Sequence, residues 1–99
     1  MAAYIIADVN VLHAASYEPY KRPAAASITQ YGGRYLVRGG KHEVLEGRWH
    51  PTRLVVLEFP SGEAAKRWYT SAEYSKVKPI RLTHAVSDLV LVEGILAPG

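Results

Sequence analysis

The feature that most constrains this chain is that its extended segments are apolar on both faces. Tyr4–Val11, Arg34–Arg38, Arg53–Phe59 and Leu89–Glu93 read as strands, rich in Val, Ile and Leu and bounded by Gly or Pro. Period-two alternation gives one face Ile5, Ala7, Val9, Val55, Leu57 and Phe59, joined by Val90 and Val92. The other face holds Tyr4, Ile6, Leu36, Leu54 and Val56, with Leu89 and Leu91. A sheet with one wet face is polar on that face, so both faces here are expected to be covered. The helical segments suffice for one face only. A second copy packed sheet to sheet as a two-fold homodimer is the economical cover for the other.

Between the strands, Tyr17, Tyr20, Ala24, Ile28 and Tyr31 recur at helical spacing, with Ser16 as a cap and Pro19 in the first turn. Pro23 is expected to kink that helix or divide it, and Gly32-Gly33 to stop it. Ser61 caps a helix through Ala64, Ala65, Trp68 and Tyr69. Ser71 opens another through Tyr74 and Val77, which Pro79 limits or kinks. Lys41–Thr52 reads as a polar connection with a short extended piece at Glu43–Glu46, and Gly94–Gly99 as a tail. The order is strand, helix, strand, strand, helix, strand. That is the α+β, ferredoxin-like β-α-β-β-α-β plan, expected as one domain over residues 1–99.

Twelve Lys and Arg against nine Asp and Glu give a net charge of +3. The basic residues are scattered among acidic ones rather than gathered on one stripe, which argues against a nucleic-acid partner. There is no cysteine to form a disulfide or a thiolate site. Asp8 breaks the first apolar stretch, no basic leader precedes it, and no apolar run approaches a bilayer's thickness. The expectation is a cytoplasmic protein without a membrane partner.

Charged residues also fall on the second strand face: Asp8, Arg34, Arg38, Glu58 and Glu93. Glu58 stands out, inside Leu54-Val55-Val56-Leu57-Glu58-Phe59. A desolvated carboxylate there suits a general base, with Arg38 holding an anionic group; the alternative is a structural ion pair. Trp68, Tyr69 and Tyr74 either line a ligand pocket or anchor the core. The histidines, His13, His42, His50 and His84, lack any ligand spacing, so no metal is expected. Gly39-Gly40 and Gly32-Gly33 lack the context of a phosphate loop or a dinucleotide fingerprint.

The segments Tyr31-Gly32-Gly33-Arg34-Tyr35-Leu36-Val37-Arg38-Gly39-Gly40, Leu45-Glu46-Gly47-Arg48-Trp49 and Leu57-Glu58-Phe59-Pro60-Ser61 resemble the domain of unknown function 1330 family. Ala64-Ala65-Lys66-Arg67-Trp68-Tyr69, with Ser71, Tyr74 and the closing Leu91-Val92-Glu93-Gly94, extends the likeness over almost the whole chain. The resemblance implies a dimeric α+β barrel, two ferredoxin-like sheets face to face. The matched polar positions are Arg38, Glu46, Arg53, Glu58, Tyr69 and Tyr74, whereas His50, His84 and Pro19 depart from the pattern. Related barrels include cofactor-independent monooxygenases, muconolactone isomerases and haem enzymes, an analogy at the level of fold. The function expected is binding of a small organic molecule with proton-transfer or cofactor-independent oxygenase-like chemistry. Glu58 and Arg38 would be catalytic there, and Trp68, Tyr69, Tyr74, Arg53 and Glu46 would bind the ligand, with no cofactor. The alternative is a non-enzymatic dimeric module binding a metabolite or a protein.

Overall fold

The computed structural model describes residues 1–95, so residues 96–99 of the expected tail lie outside it. Strand β1 (Ala3–Val11) is followed by α1 (Ala14–Gln30), β2 (Arg34–Arg38) and β3 (Leu54–Phe59). Three short helices come next, α2 (Gly62–Thr70), α3 (Ala72–Ser75) and α4 (Lys78–His84), and β4 (Ala85–Glu93) closes the chain. The sheet is ordered β2-β3-β1-β4 and every neighbouring pair is antiparallel. β1 and β2 therefore run the same way with β3 between them, which is the split β-α-β arrangement that the element order implies.

Helix α1 is a single helix containing both Pro19 and Pro23, and no side chain caps it. The expected division at Pro23 does not occur. The two prolines are four apart, so the bonds they remove would have ended on the carbonyls of Ala15 and Pro19. Ala15, Pro19 and Pro23 all face water, which can satisfy those carbonyls from outside. The cap expected at Ser16 is replaced by backbone: the His84 carbonyl receives Leu12 N–H at 2.8 Å and His13 N–H at 3.4 Å, anchoring the helix entry to the end of α4.

Ser61 and Ser71 cap as expected, their hydroxyls accepting from Ala64 N–H at 3.0 Å and Tyr74 N–H at 3.1 Å. Pro79 sits in the first turn of α4, a separate helix that the sequence reading did not separate from its predecessor. The extended piece expected at Glu43–Glu46 is absent, and residues 39–53 form an irregular arm. β4 begins four residues earlier than expected and pairs with all of β1, from Ala3↔Glu93 to Val11↔Ala85.

The register corrects the faces in two places. Ile5 and Ala7 lie opposite Leu91 and Leu89, so these leucines face the helices while Val90 and Val92 point outward. On β2 the pairing shifts between Tyr35 and Val37: Tyr35 opposes Leu57, Val37 opposes Val56, and Arg38 opposes Val55. This bulge turns Arg38 onto the helix-covered face, away from Glu58.

The core lies between the helices and the face carrying Ile5, Leu57 and Phe59, with Trp68 and Tyr74 as its largest buried side chains alongside Phe59. The Trp68 ring lies 4.2 Å from Tyr74 and 5.5 Å from Phe59, centroid to centroid, and its N–H donates to Ser27 at 3.0 Å. The outer face stays apolar: Val90 is 58% exposed and Val92 45%, with Ile6 and Val56 half-buried beside them.

Gly33 sits where α1 turns into β2, and a methyl group there would lie 2.6 Å from the Phe59 ring and 2.8 Å from Ile28. Both are fixed in the core, so Gly33→Ala is expected to cost roughly 1–3 kcal/mol. Chemical denaturation of the variant against the parent measures it, and an unchanged midpoint would contradict this packing.

Candidate ligand cavity

A cavity opens between the helix layer and the inner sheet face. Its apolar wall comes from Ile5, Ala7, Val9, Val55 and Leu57, the inward positions of the two central strands. Phenols of Tyr17, Tyr20, Tyr35 and Tyr74 and the indole of Trp68 line it too. Its charged lining is cationic: Lys21, Arg38, Arg53 and Arg81, with no carboxylate among the described residues.

Each cation reaches the cavity for a local reason. The β2 bulge turns Arg38 inward, where its guanidinium lies 4.4 Å from the centre of the Tyr35 ring. Arg53 immediately precedes β3, and its side chain lies against Gly39, where a methyl group would come within 2.6 Å of Nε. Gly39 has φ +72°, a conformation glycine adopts without strain, so β2 can end there and leave the guanidinium room. Arg81 comes from α4, is 4% exposed, and donates through Nε to the Tyr74 hydroxyl at 3.1 Å. Lys21, by contrast, has an acid partner, Glu18, at 3.1 Å.

The Tyr74 hydroxyl also lies 2.6 Å from that of Tyr20. Arginine only donates, so Tyr74 accepts from Arg81. The two phenols own two protons and need one for the bond between them. The other remains free to donate to a ligand. If the pair ionises, the bridging proton and the Arg81 charge are both placed to hold the negative charge. Burial, reinforced by Tyr74, pushes the Tyr20 phenol well above its usual range. Burial likewise raises Tyr17 and Tyr35. At neutral pH these three phenols are therefore neutral donors.

Of the residues expected at the site, Arg38, Arg53, Trp68 and Tyr74 meet at this cavity. Tyr69 stands behind it. Its ring lies 5.9 Å from that of Tyr74, under the Lys78 ammonium at 4.2 Å, and borders a separate groove between α2 and β4. Glu46 is exposed on the arm. Glu58 is on the outer face, bound to Arg34 Nε at 2.7 Å. Arg81, Tyr20, Tyr17, Tyr35 and Lys21 also line the cavity and were not among the expected site residues. Tyr20 was legible as part of the α1 stripe, whereas the position of Arg81 depends on where α4 begins.

The arm is held by Asp8 on the outer face. Its carboxylate accepts from Thr52 N–H at 2.9 Å, Arg53 N–H at 3.3 Å and the Trp49 indole at 3.2 Å. Desolvation of the carboxyl opposes its ionisation, but these hydrogen bonds, led by that from Thr52, outweigh it and hold Asp8 below the usual carboxylate range. The histidines do not converge as a group. His13 and His84 meet, Nδ1 to Nδ1, at 3.2 Å, whereas His42 bonds the Pro51 carbonyl. Among the described residues no helix is long and apolar enough to cross a membrane.

The family model described as Domain of unknown function (DUF1330) matches residues 2–95. The chain belongs to that family. No curated protein matches this DUF1330 sequence. Its fold is that of a protein of unknown function, RPA0582, from Rhodopseudomonas palustris. The TM-score is 0.76 at 19% identity, over 96% of this chain and 83% of that one. It is also similar to SnoaB, a cofactor-independent oxygenase from Streptomyces nogalater, with TM-score 0.62 and 14% identity over 97% and 95% of the two chains. A third, described as a putative antibiotic biosynthesis monooxygenase from Nitrosomonas europaea, has TM-score 0.57 and 15% identity over 99% and 94%. At these identities the likeness is one of fold, and it places the DUF1330 chain among the ferredoxin-like α+β folds that the element order anticipated.

If Asp8 is the arm's tether, Asp8→Ala should raise acrylamide quenching of Trp49, which is 58% exposed, while buried Trp68 serves as an internal reference. Because the folded carboxyl is held low, the tether is complete above the ordinary carboxylate range and is lost as pH falls through the folded value. Acidified parent protein should therefore approach the variant. Equal quenching in the two proteins at neutral pH would show that the arm is held otherwise.

Proposed function

We propose that this protein binds a small organic anion in the cavity between sheet and helices and performs proton-transfer chemistry on it. The observation that carries the proposal is a cavity with four cationic side chains, an apolar wall and no carboxylate among the described residues. Arg38 and Arg53 hold an anionic or carbonyl oxygen from the sheet side. Trp68 and the strand residues pack the carbon skeleton. The Tyr20–Tyr74 pair gives a proton to the substrate oxygen and, ionised beside Arg81, then takes one back from the substrate carbon. Cofactor-independent oxygenase-like chemistry is one extension, since proton removal from an activated carbon is what leaves it electron-rich enough to meet oxygen. The fold shared with SnoaB supports that extension by analogy alone.

A binding module without turnover is the second reading, favoured by a lining that holds neither carboxylate nor imidazole as a base. Tyr74→Phe separates the two. It retains the ring and removes the hydroxyl, so an enzyme should lose turnover by about 100-fold or more with small change in ligand affinity. Arg38→Gln should weaken binding itself under either reading, by roughly tenfold. The readouts are calorimetry with small aromatic and keto acids and, where one is consumed, its turnover. Unaltered binding in Arg38→Gln would remove the assignment.

The proposal includes a homodimer through the outer sheet face. Val56, Ile6 and Val90 form an apolar row from β3 across β1 to the edge strand β4, extended by Val92; Arg34 is paired with Glu58 and Asp8 with the arm, while Asp88, opposite Asp8 on β4, is exposed. A two-fold axis through such a surface sets it against itself. Val56→Asp or Val90→Asp is expected to shift the mass in solution from dimer to monomer, read by light scattering. A parent protein that is monomeric at micromolar concentration would exclude this interface.

A further inference from the structure

We propose that the natural ligand is a dianion, a short dicarboxylate bound with one charged end against the sheet wall and the other against the helix wall. This rests on the reading of the cavity as an anion site and goes beyond it. The guanidinium groups are divided between the two walls. Arg38 and Arg53 stand on β2 and at the start of β3, whereas Arg81 projects from α4. None of the three has a carboxylate partner among the described residues; the ion pairs found are Lys21–Glu18 and Arg34–Glu58.

The sheet-side arginines are at ease without a partner. Arg38 is exposed and rests on the face of Tyr35, and Arg53 is half-buried. Arg81 differs, being 4% exposed with one acceptor found for it, the neutral hydroxyl of Tyr74. A cation withdrawn from water and left with a neutral acceptor is poorly compensated, and a carboxylate able to bridge two guanidinium N–H groups is its natural complement. A monoanion seated against Arg38 and Arg53 would leave that charge uncompensated on the opposite wall. A ligand with two carboxylates satisfies both.

Size and polarity restrict the class further. The cavity is about 160 Å³, close to the roughly 150 Å³ of a cavity that admits benzene. The space between the charged walls is apolar, formed by Ile5, Ala7, Val55 and Leu57. A hydrocarbon segment ended by two carboxylates, about four to six carbons in all, fits that pattern of polar ends and apolar middle. Phosphate esters fit less well, because their charge is concentrated at one end.

The test compares acids of matched skeleton on the whole chain: butyrate with succinate, and hexanoate with adipate, by calorimetry at fixed ionic strength. The proposal requires the diacid of at least one pair to bind tenfold or more tightly than its monoacid. Arg81→Gln should abolish that advantage, bringing the diacid's affinity down to that of its monoacid in the same variant, and Arg81→Lys should restore part of it. If the glutamine variant does not fold, the matched pairs on the parent protein still decide the question. Measurable monoacid binding with no gain for either diacid would overturn the dianion and leave the anion cavity standing. Binding of none of the four acids would overturn both. A diacid advantage that persists in Arg81→Gln would overturn the placement of the second carboxylate.

Discussion

Three of the four helices are joined to the sheet through Trp68. Its indole N–H donates to Ser27 on α1, its ring packs on Phe59 from the sheet, and Tyr74 from α3 closes over it. One side chain thus joins three helical segments to β3. Ser27 passes the hydrogen bond on to the Ala24 carbonyl at 2.7 Å, so the indole is bound to a rigid turn rather than to a mobile hydroxyl. Because Tyr74 is positioned by this stack, so are the Tyr20 contact and the Arg81 contact that converge on its hydroxyl. Core and cavity are two sides of the same aromatic cluster, and the choice between anchor and pocket wall for Trp68 has no single answer.

The architecture was legible because the relevant signals are local. Period-two runs, two serine caps and glycine pairs after a helical stripe each report on a few neighbouring residues, and their order selects the β-α-β-β-α-β plan. The errors arose where a local signal was silent about phase. Leu89-Val90-Leu91-Val92 is apolar at every position, so alternation cannot say which residues turn inward; pairing with β1 decides it. The bulge in β2 leaves no mark in Arg34-Tyr35-Leu36-Val37-Arg38, since no glycine announces it. An uninterrupted alternation therefore put Arg38 on the same face as Glu58.

The site was half legible for the same reason. Arg53, Trp68 and Tyr74 could be read as candidates from type and place, and they do come together. Arg81 could not, because a basic residue after Pro79-Ile80 looks like any solvated position until α4 is known to lie against α1. Glu58 was conspicuous as a charge inside an apolar strand, and its environment is accounted for by Arg34 across the strand pair. Conspicuous charge on a strand marks desolvation or a partner, and the sequence alone does not distinguish them.

The bulge at Leu36 gives the pairing of β2 a meaning out of proportion to one residue. Pleating the same five residues regularly, with none removed, would carry Arg38 through the sheet, taking a positive charge from the cavity and setting it on the opposite face, whereas deleting Leu36 would leave Arg38 opposite Val55 on the cavity side. Such a slip would alter both what the cavity recognises and what the outer face can associate with. The cavity's sheet-side charge is therefore set by how β2 pairs with β3, and the same five residues in another register would present a different site.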